Sequence, residues 1–101
     1  MVDLYQQAVA IAPTLKIKWH EGLHENINGW RYLVGISQCP CGNMEQVAAN
    51  FTNNKNDHRM MIALHHAWHH ACFKNGLDIE TPFDVDKLEI AGINAGLKGR
   101  I

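Results

Sequence analysis

The chain has 101 residues, the size of one small domain, so we expect residues 1–101 to fold as a single compact unit. Apolar residues make up 47% of the sequence and charged residues 19%, a balance that excludes a wholly disordered chain. Nine Lys and Arg residues against ten Asp and Glu residues give a net charge of -1. This charge argues against a domain whose main task is to bind the phosphates of nucleic acid.

The cysteines and the N-terminal sequence favour a cytoplasmic protein. Cys39, Cys41 and Cys72 are an odd number of cysteines, whereas a small secreted scaffold usually carries an even set. Residues 1–13 lack the basic region and the long apolar region of a signal peptide. No apolar run approaches the ~18 residues of a membrane span. We therefore expect reduced thiols and a cytoplasmic location.

The first third of the chain predicts a helix and then a β-hairpin. Asp3 is suited to cap a helix over residues 3–12, and Pro13 should end it. Apolar residues then alternate with polar ones over residues 15–20 and again over residues 30–37, where Trp30, Tyr32, Val34 and Ile36 share a face. The intervening segment is rich in Gly and Asn, so we expect a loop between two paired strands.

The middle of the chain predicts a third strand and a long helix. Residues 44–51 alternate as a strand does, although a short helix is the alternative interpretation. Asp57 is suited to cap a helix over residues 58–74, and Asn75-Gly76 is a typical helix end. A final, glycine-weakened helix is predicted from about residue 85 to 97.

This order of elements predicts an α+β fold. A helix is followed by a three-stranded antiparallel sheet, by a long helix packed on that sheet, and by a short C-terminal helix (α-β-β-β-α-α). We expect the helices to lie on one face of the sheet. In this arrangement Trp19, Trp30 and Trp68 should anchor the interface between sheet and helix.

The predicted long helix contains an unusual histidine cluster, residues 65–70. At 100° per residue an apolar arc faces the core, formed by Met60, Met61, Leu64, Ala67, Trp68 and Ala71. His66 and His70 lie almost opposite this arc, so we expect them to be solvated. His65, His69 and Cys72 line one seam at the margin of the core.

Two interpretations of this seam remain open. His65 and His69 are one helical turn apart and Cys72 follows on the same side, which is suitable spacing for chelating a metal ion. Cys39 and Cys41, in a Pro- and Gly-containing turn predicted over residues 38–43, would complete a site of mixed thiolate and imidazole ligands that suits zinc. In the alternative interpretation no cofactor binds, and the histidines occupy the partly solvent-exposed edge of the buried surface of the helix.

The predicted order α-β-β-β-α over residues 3–74 resembles the double-stranded RNA-binding domain. In that family the first helix, a histidine-bearing loop between the first two strands, and the start of the last helix contact RNA. The resemblance places Gly22, Leu23 and His24 in that loop. It places residues 54–59 at the helix start, where only Lys55 and Arg59 stand in place of the family's lysine cluster. Duplex-RNA binding is therefore an alternative function, and the charge pattern argues against direct nucleic-acid binding.

The sequence shows no recognised catalytic motif, and an acidic segment is its other notable feature. We find no nucleophile elbow, zinc-protease motif or phosphate-binding loop, so we expect a protein that is not an enzyme. A cluster of carboxylates near the C-terminus is suited to a basic partner surface, although capping and solvation explain part of it. These residues are Asp78, Glu80, Asp84, Asp86 and Glu89. The sequence thus predicts a protein-binding adaptor or inhibitor that occupies the surface of a nucleic-acid-processing partner.

Overall fold

The computed structural model of the chain describes residues 3–23, 26, 30–39, 42–49 and 55–101. Within these residues the predicted α+β order is confirmed, since one helix precedes three strands and two helices follow them. The elements are α1 (Leu4–Ile11), a 3₁₀ turn (Ala12–Thr14), β1 (Lys18–Leu23), β2 (Arg31–Cys39), β3 (Gly42–Ala49), α2 (Lys55–Lys74) and α3 (Val85–Asn94).

The first helix follows the prediction closely. The Asp3 side chain accepts hydrogen bonds from the backbone N–H groups of Tyr5 and Gln6, so one carboxylate satisfies two of the donors that every helix start leaves free. Pro13 lies in the 3₁₀ turn that directly follows α1. The α-helix therefore ends next to Pro13, which has no backbone N–H to continue the helical hydrogen bonding.

The three strands form one antiparallel sheet in the order β1-β2-β3. In its register Gly35 of β2 stands between Trp19 of β1 and Gln46 of β3. The first strand is displaced from its predicted position, because Leu15 and Ile17 pack on the helical core and lie outside the ladder. Glu21, Gly22 and Leu23, which the prediction placed in a loop, belong to β1.

The helix α2 lies between the sheet on one side and the helices α1 and α3 on the other. Its Ile62 packs with Leu33 of the sheet. Its Leu64 belongs to the main core, together with Ala8 of α1 and Leu88 of α3. Among the described residues, α1 contacts α2, α3 and the 3₁₀ turn but no strand. The helices therefore form two layers on one side of the sheet.

Gly35 allows α2 to approach the sheet closely. A Cβ atom at this position would lie 2.7 Å from Ile62 Cγ2, 2.8 Å from Trp19 Cζ3 and 3.1 Å from Ile17 Cγ2. The first two distances are shorter than those that real Cβ atoms show, and the third is tight, so a larger residue would force Ile62 and Trp19 to move. The absence of a side chain at Gly35 thus sets the distance between α2 and the sheet.

The long helix begins earlier than predicted and ends where predicted. It starts at Lys55, so Asp57 is a first-turn residue and not the N-cap, and its carboxylate is 3.0 Å from the ammonium of Lys98. At the other end Gly76 adopts φ +69°, and the N–H of Leu77 donates to the carbonyl of Cys72. This is the six-to-one hydrogen bond with which many helices terminate.

The predicted tryptophan interface is wrong for Trp68. Trp19 does face α2, where it packs with Leu33 and Ile62. Trp68 lies on the opposite side of α2, its ring centroid 4.9 Å from that of Tyr5, and its indole N–H donates to the Thr81 carbonyl at 3.0 Å. It therefore anchors α1 and the segment before α3 to α2.

None of the helices in the described part of the chain combines the length and the apolar content that a membrane crossing would require.

Candidate functional site

The carboxylates of the acidic segment divide into two groups. Asp78 and Asp84 are engaged with nearby backbone: Asp78 Oδ1 accepts from the N–H of Glu80, and Asp84 Oδ1 accepts from the N–H groups of Asp86 and Lys87 at the start of α3. Glu80, Asp86 and Glu89 are exposed. Their carboxylates form no ion pair within the described part of the chain.

The one cation within this segment is directed toward an aromatic ring. The ammonium of Lys87 lies 4.6 Å from the centre of the Tyr5 ring, a favourable cation–π contact. The Tyr5 hydroxyl accepts a hydrogen bond from the N–H of Asp84 at 3.1 Å. Lys87 therefore contacts Tyr5 and forms no ion pair with the neighbouring carboxylates within the described part of the chain, and the five carboxylates of the acidic segment outnumber this one cation.

The solvent-facing side of α3 combines acidic and apolar residues. Asp86, Ile90 and Ile93 follow one another at helical spacings of four and three, and Glu89 lies one turn before Ile93. Ile90 is 57% exposed and Ile93 is 46% exposed, although Leu88 of the same helix is fully buried. Val85, at the start of the helix, is also 57% exposed. We call the surface formed by Val85, Asp86, Glu89, Ile90 and Ile93 the α3 face.

The histidine cluster differs from the prediction at its centre. The side chain of His66 extends from α2 toward the sheet and is fully buried, so the expectation that it is solvated is wrong. Its Nδ1 is 2.8 Å from Ser37 Oγ and its Nε2 is 3.1 Å from the carbonyl oxygen of Gly35. Since the carbonyl only accepts, Nε2 carries the proton and Nδ1 accepts from the serine hydroxyl. Burial lowers the pKa of His66 to about 4, so the ring is neutral at physiological pH.

His70 lies one turn beyond His66 and is half-buried, so it too is less solvated than predicted. Both errors have one cause. The helical wheel assumed a single buried arc, whereas α2 is covered on two sides.

His65 and His69 are brought together as predicted. Their ring centroids are 4.9 Å apart, and the ring centroids of His65 and Phe83 are 5.3 Å apart in an edge-to-face arrangement. Both rings line a cleft of about 410 Å³ that Glu80 and Thr81 also border. Burial, together with the neighbouring imidazoles, lowers the pKa of both histidines, so their nitrogens are available as acceptors at neutral pH.

Among the predicted metal ligands that the structure describes, Cys72 does not join this pair. Cys72 is a free, fully buried thiol, and burial raises its pKa, which disfavours the thiolate that a metal ion requires. Cys39 ends β2, and Cys41 lies outside the described residues. Among the described residues no group of three or more His, Cys, Asp or Glu side chains is arranged to hold a metal ion. The five-ligand zinc site stays a prediction.

The basic residues that the RNA-binding resemblance requires are engaged within the chain. The ammonium of Lys55 is 3.2 Å from a Glu21 carboxylate oxygen, and the guanidinium of Arg59 lies 4.9 Å from the centre of the Trp19 ring. Gly22 and Leu23 lie in β1, and His24 lies outside the described residues.

Sequence reasoning missed two features of these surfaces. It did not single out Ile90 and Ile93, although their spacing from Asp86 on a predicted helix was a usable signal. It also missed the bonding of His66 to Ser37, for which no local pattern exists because the two residues are 29 positions apart.

No protein-family model, curated protein or solved structure matches this chain.

Proposed function

We propose that this protein is a non-enzymatic binding module that occupies a basic surface of a nucleic-acid-processing protein, as an adaptor or an inhibitor. The α3 face is the contact surface in this proposal. The observation that carries it is the pair of exposed isoleucines, Ile90 and Ile93, beside the carboxylates of Asp86 and Glu89, which form no ion pair with any described residue.

The apolar part of the α3 face would supply the affinity. An exposed isoleucine is unremarkable alone, but neighbouring ones within a polar rim are typical of protein interfaces. Burying a side chain of this size contributes about 1.5–3 kcal/mol. Val85, Ile90 and Ile93 together therefore offer the small apolar centre around which a few residues supply most of the binding energy.

The carboxylates would supply speed and selectivity. Negative charge around an apolar centre accelerates the approach of a positively charged partner and repels acidic surfaces. Proteins that handle nucleic acid expose basic surfaces for phosphate contacts, so they fit this charge pattern. Placing the partner within this class rests on that complementarity.

Direct RNA binding is the less favoured function. Lys55 is paired with Glu21 and Arg59 is held against Trp19, so neither is free to bind a phosphate without losing a contact.

Enzymatic catalysis through Cys72 is also disfavoured, because a buried thiol of raised pKa is a poor nucleophile. The free Cys72 thiol fits the cytoplasmic location that we propose.

The proposal is tested by capture from an extract of the organism that encodes the chain. The immobilised protein is compared with its Ile90→Ser/Ile93→Ser variant after nuclease digestion of the extract, and bound proteins are identified by mass spectrometry. We expect the wild type to retain a basic nucleic-acid-processing protein that the double variant fails to retain.

A matched control removes exposed apolar residues elsewhere on the molecule. Leu23 is 67% exposed and Phe73 is 57% exposed, and neither belongs to the α3 face. The Leu23→Ser/Phe73→Ser variant should retain the partner. Equal capture by the wild type and the Ile90→Ser/Ile93→Ser variant, or capture that requires intact nucleic acid, would refute the proposal.

A further inference from the structure

The sheet has a second face that no described element covers. The helix α2 packs on the face formed by Leu33, Gly35 and Ser37. Side chains alternate along a strand, so Tyr32, Val34 and Ile36 point the opposite way, and they are only half-buried. We call this opposite surface the outer sheet face.

The outer sheet face has an apolar centre and opposite charges at its two edges. In the register of the sheet, Ile36 of β2 stands between Lys18 of β1 and Glu45 of β3. In the adjacent row Val34 stands between the exposed His20 of β1 and Val47 of β3, which is 55% exposed. Lys18 and Glu45 are exposed, and neither forms an ion pair within the described part of the chain.

This charge distribution is complementary to itself. Consider a second copy rotated by 180° about an axis that runs parallel to β2 between the two sheets. The rotation places β1 of each copy opposite β3 of the other and leaves β2 opposite β2. Lys18 of each copy then faces Glu45 of the other, while Ile36 faces Ile36 and Val34 faces Val34.

We propose that the outer sheet face is the contact surface of a symmetric dimer of this chain. Closed two-fold pairing through one shared patch is the commonest form of self-association. Two sheets packed face to face keep their strands within about 30° of each other. A two-fold axis parallel to β2 keeps the two central strands parallel, which lies within this range.

The size of the face makes this a weak dimer. Strands lie about 4.8 Å apart and rise about 3.4 Å per residue, so three strands of about eight residues present roughly 400 Å². Two copies would bury roughly 800 Å², whereas stable specific interfaces bury at least about 1,200 Å². The dimer therefore forms only at high protein concentration. It depends on the outer sheet face alone and not on the α3 face.

The test is sedimentation equilibrium of the purified protein over roughly 0.01–1 mM, the range in which a small interface of this kind associates. We expect the apparent mass to rise toward that of a dimer. Lys18→Glu alone and Glu45→Lys alone should each suppress this rise, because each places like charges face to face. The Lys18→Glu/Glu45→Lys double variant should restore it, because the exchange recreates both opposite-charge pairs.

A charge reversal away from the sheet controls for general electrostatic effects. Lys74 is exposed at the end of α2, and Lys74→Glu should associate as the wild type does. Circular dichroism checks that each variant keeps its fold. A wild type that stays monomeric throughout the range, single reversals without effect, or a double variant that associates no better than the single variants would each overturn the proposal.

Discussion

His66 makes the stability of the fold depend on pH. The native state holds this ring neutral with a pKa of about 4, below its ordinary value of 6.5, because the ring is buried. The unfolded chain therefore binds the proton first as the pH falls. The contribution of His66 to the unfolding free energy is therefore fully present above about pH 6.5. It declines as the pH falls from 6.5 to 4, by about 3 kcal/mol over this range.

This decline is isolated by comparison with His66→Gln, which carries the same carboxylates but no titrating ring at this position. The difference in unfolding free energy between wild type and variant, measured with urea at several pH values, should shrink by about 3 kcal/mol from pH 7 to pH 4. A difference that stays constant with pH would show that His66 is not held neutral by the fold.

Ser37 donates the buried hydrogen bond that His66 Nδ1 accepts. Ser37→Ala leaves His66 Nδ1 buried without a donor, so we expect a loss of about 1–3 kcal/mol in unfolding free energy at neutral pH. Thr14→Ala is the control, since it removes an exposed hydroxyl that donates to the Ile11 carbonyl. Equal losses in the two variants would mean that the Ser37–His66 bond is worth no more than a surface bond.

Asp84 has a structural role that must be separated from partner binding. Asp84→Ala removes the N-cap of α3 and should cost about 1 kcal/mol, whereas Asp84→Asn keeps a capping oxygen and should cost only a few tenths. Thermal denaturation of the two variants measures this difference. Equal destabilisation by both would contradict the capping role. If capping is confirmed, the charge of the α3 face is best tested at Asp86 and Glu89.

At the scale of elements, the packing of α2 on the sheet depends on Gly35. Gly35→Ala introduces a methyl group against Ile62, Trp19 and Ile17, so we expect a loss of about 1–3 kcal/mol. Gly22 is the matched control within the same sheet. A Cβ atom there would lie 2.5 Å from the Tyr32 hydroxyl oxygen and 2.7 Å from Tyr32 Cζ, but these atoms end a half-buried side chain on the outer sheet face, which can turn away from the new methyl group. Urea unfolding should therefore show a smaller loss for Gly22→Ala, and the opposite ranking would contradict this account.

The sequence predicted the kind and order of elements because each has a local signal. Asp3 and Asn75-Gly76 mark helix ends, and period-two alternation marks the strands. Burial was predicted less well, since it depends on which elements meet. A local pattern could not show that α2 is covered on two sides, and so it misplaced His66 and Trp68. The sequence analysis did not single out Ile90 and Ile93, and the position of their helix shows that both side chains are exposed.

At the scale of the whole molecule, the two proposed surfaces lie on different layers. The α3 face belongs to the helical layer beyond α2, and the outer sheet face lies on the other side of the sheet. A dimer formed through the sheets would leave both α3 faces uncovered. Such a dimer could hold two partner molecules at once, and bivalent attachment strengthens binding without any new contact.

The central claim is that the charge and shape of the α3 face perform the function. Its most direct test is the association rate constant of the captured partner with the wild type and with Asp86→Asn/Glu89→Gln, measured by stopped flow at low and high salt. The account predicts an association rate about 3- to 10-fold slower for the variant at low salt, convergence of the two rates at high salt, and a nearly unchanged dissociation rate. Identical association rates at both salt concentrations would contradict it.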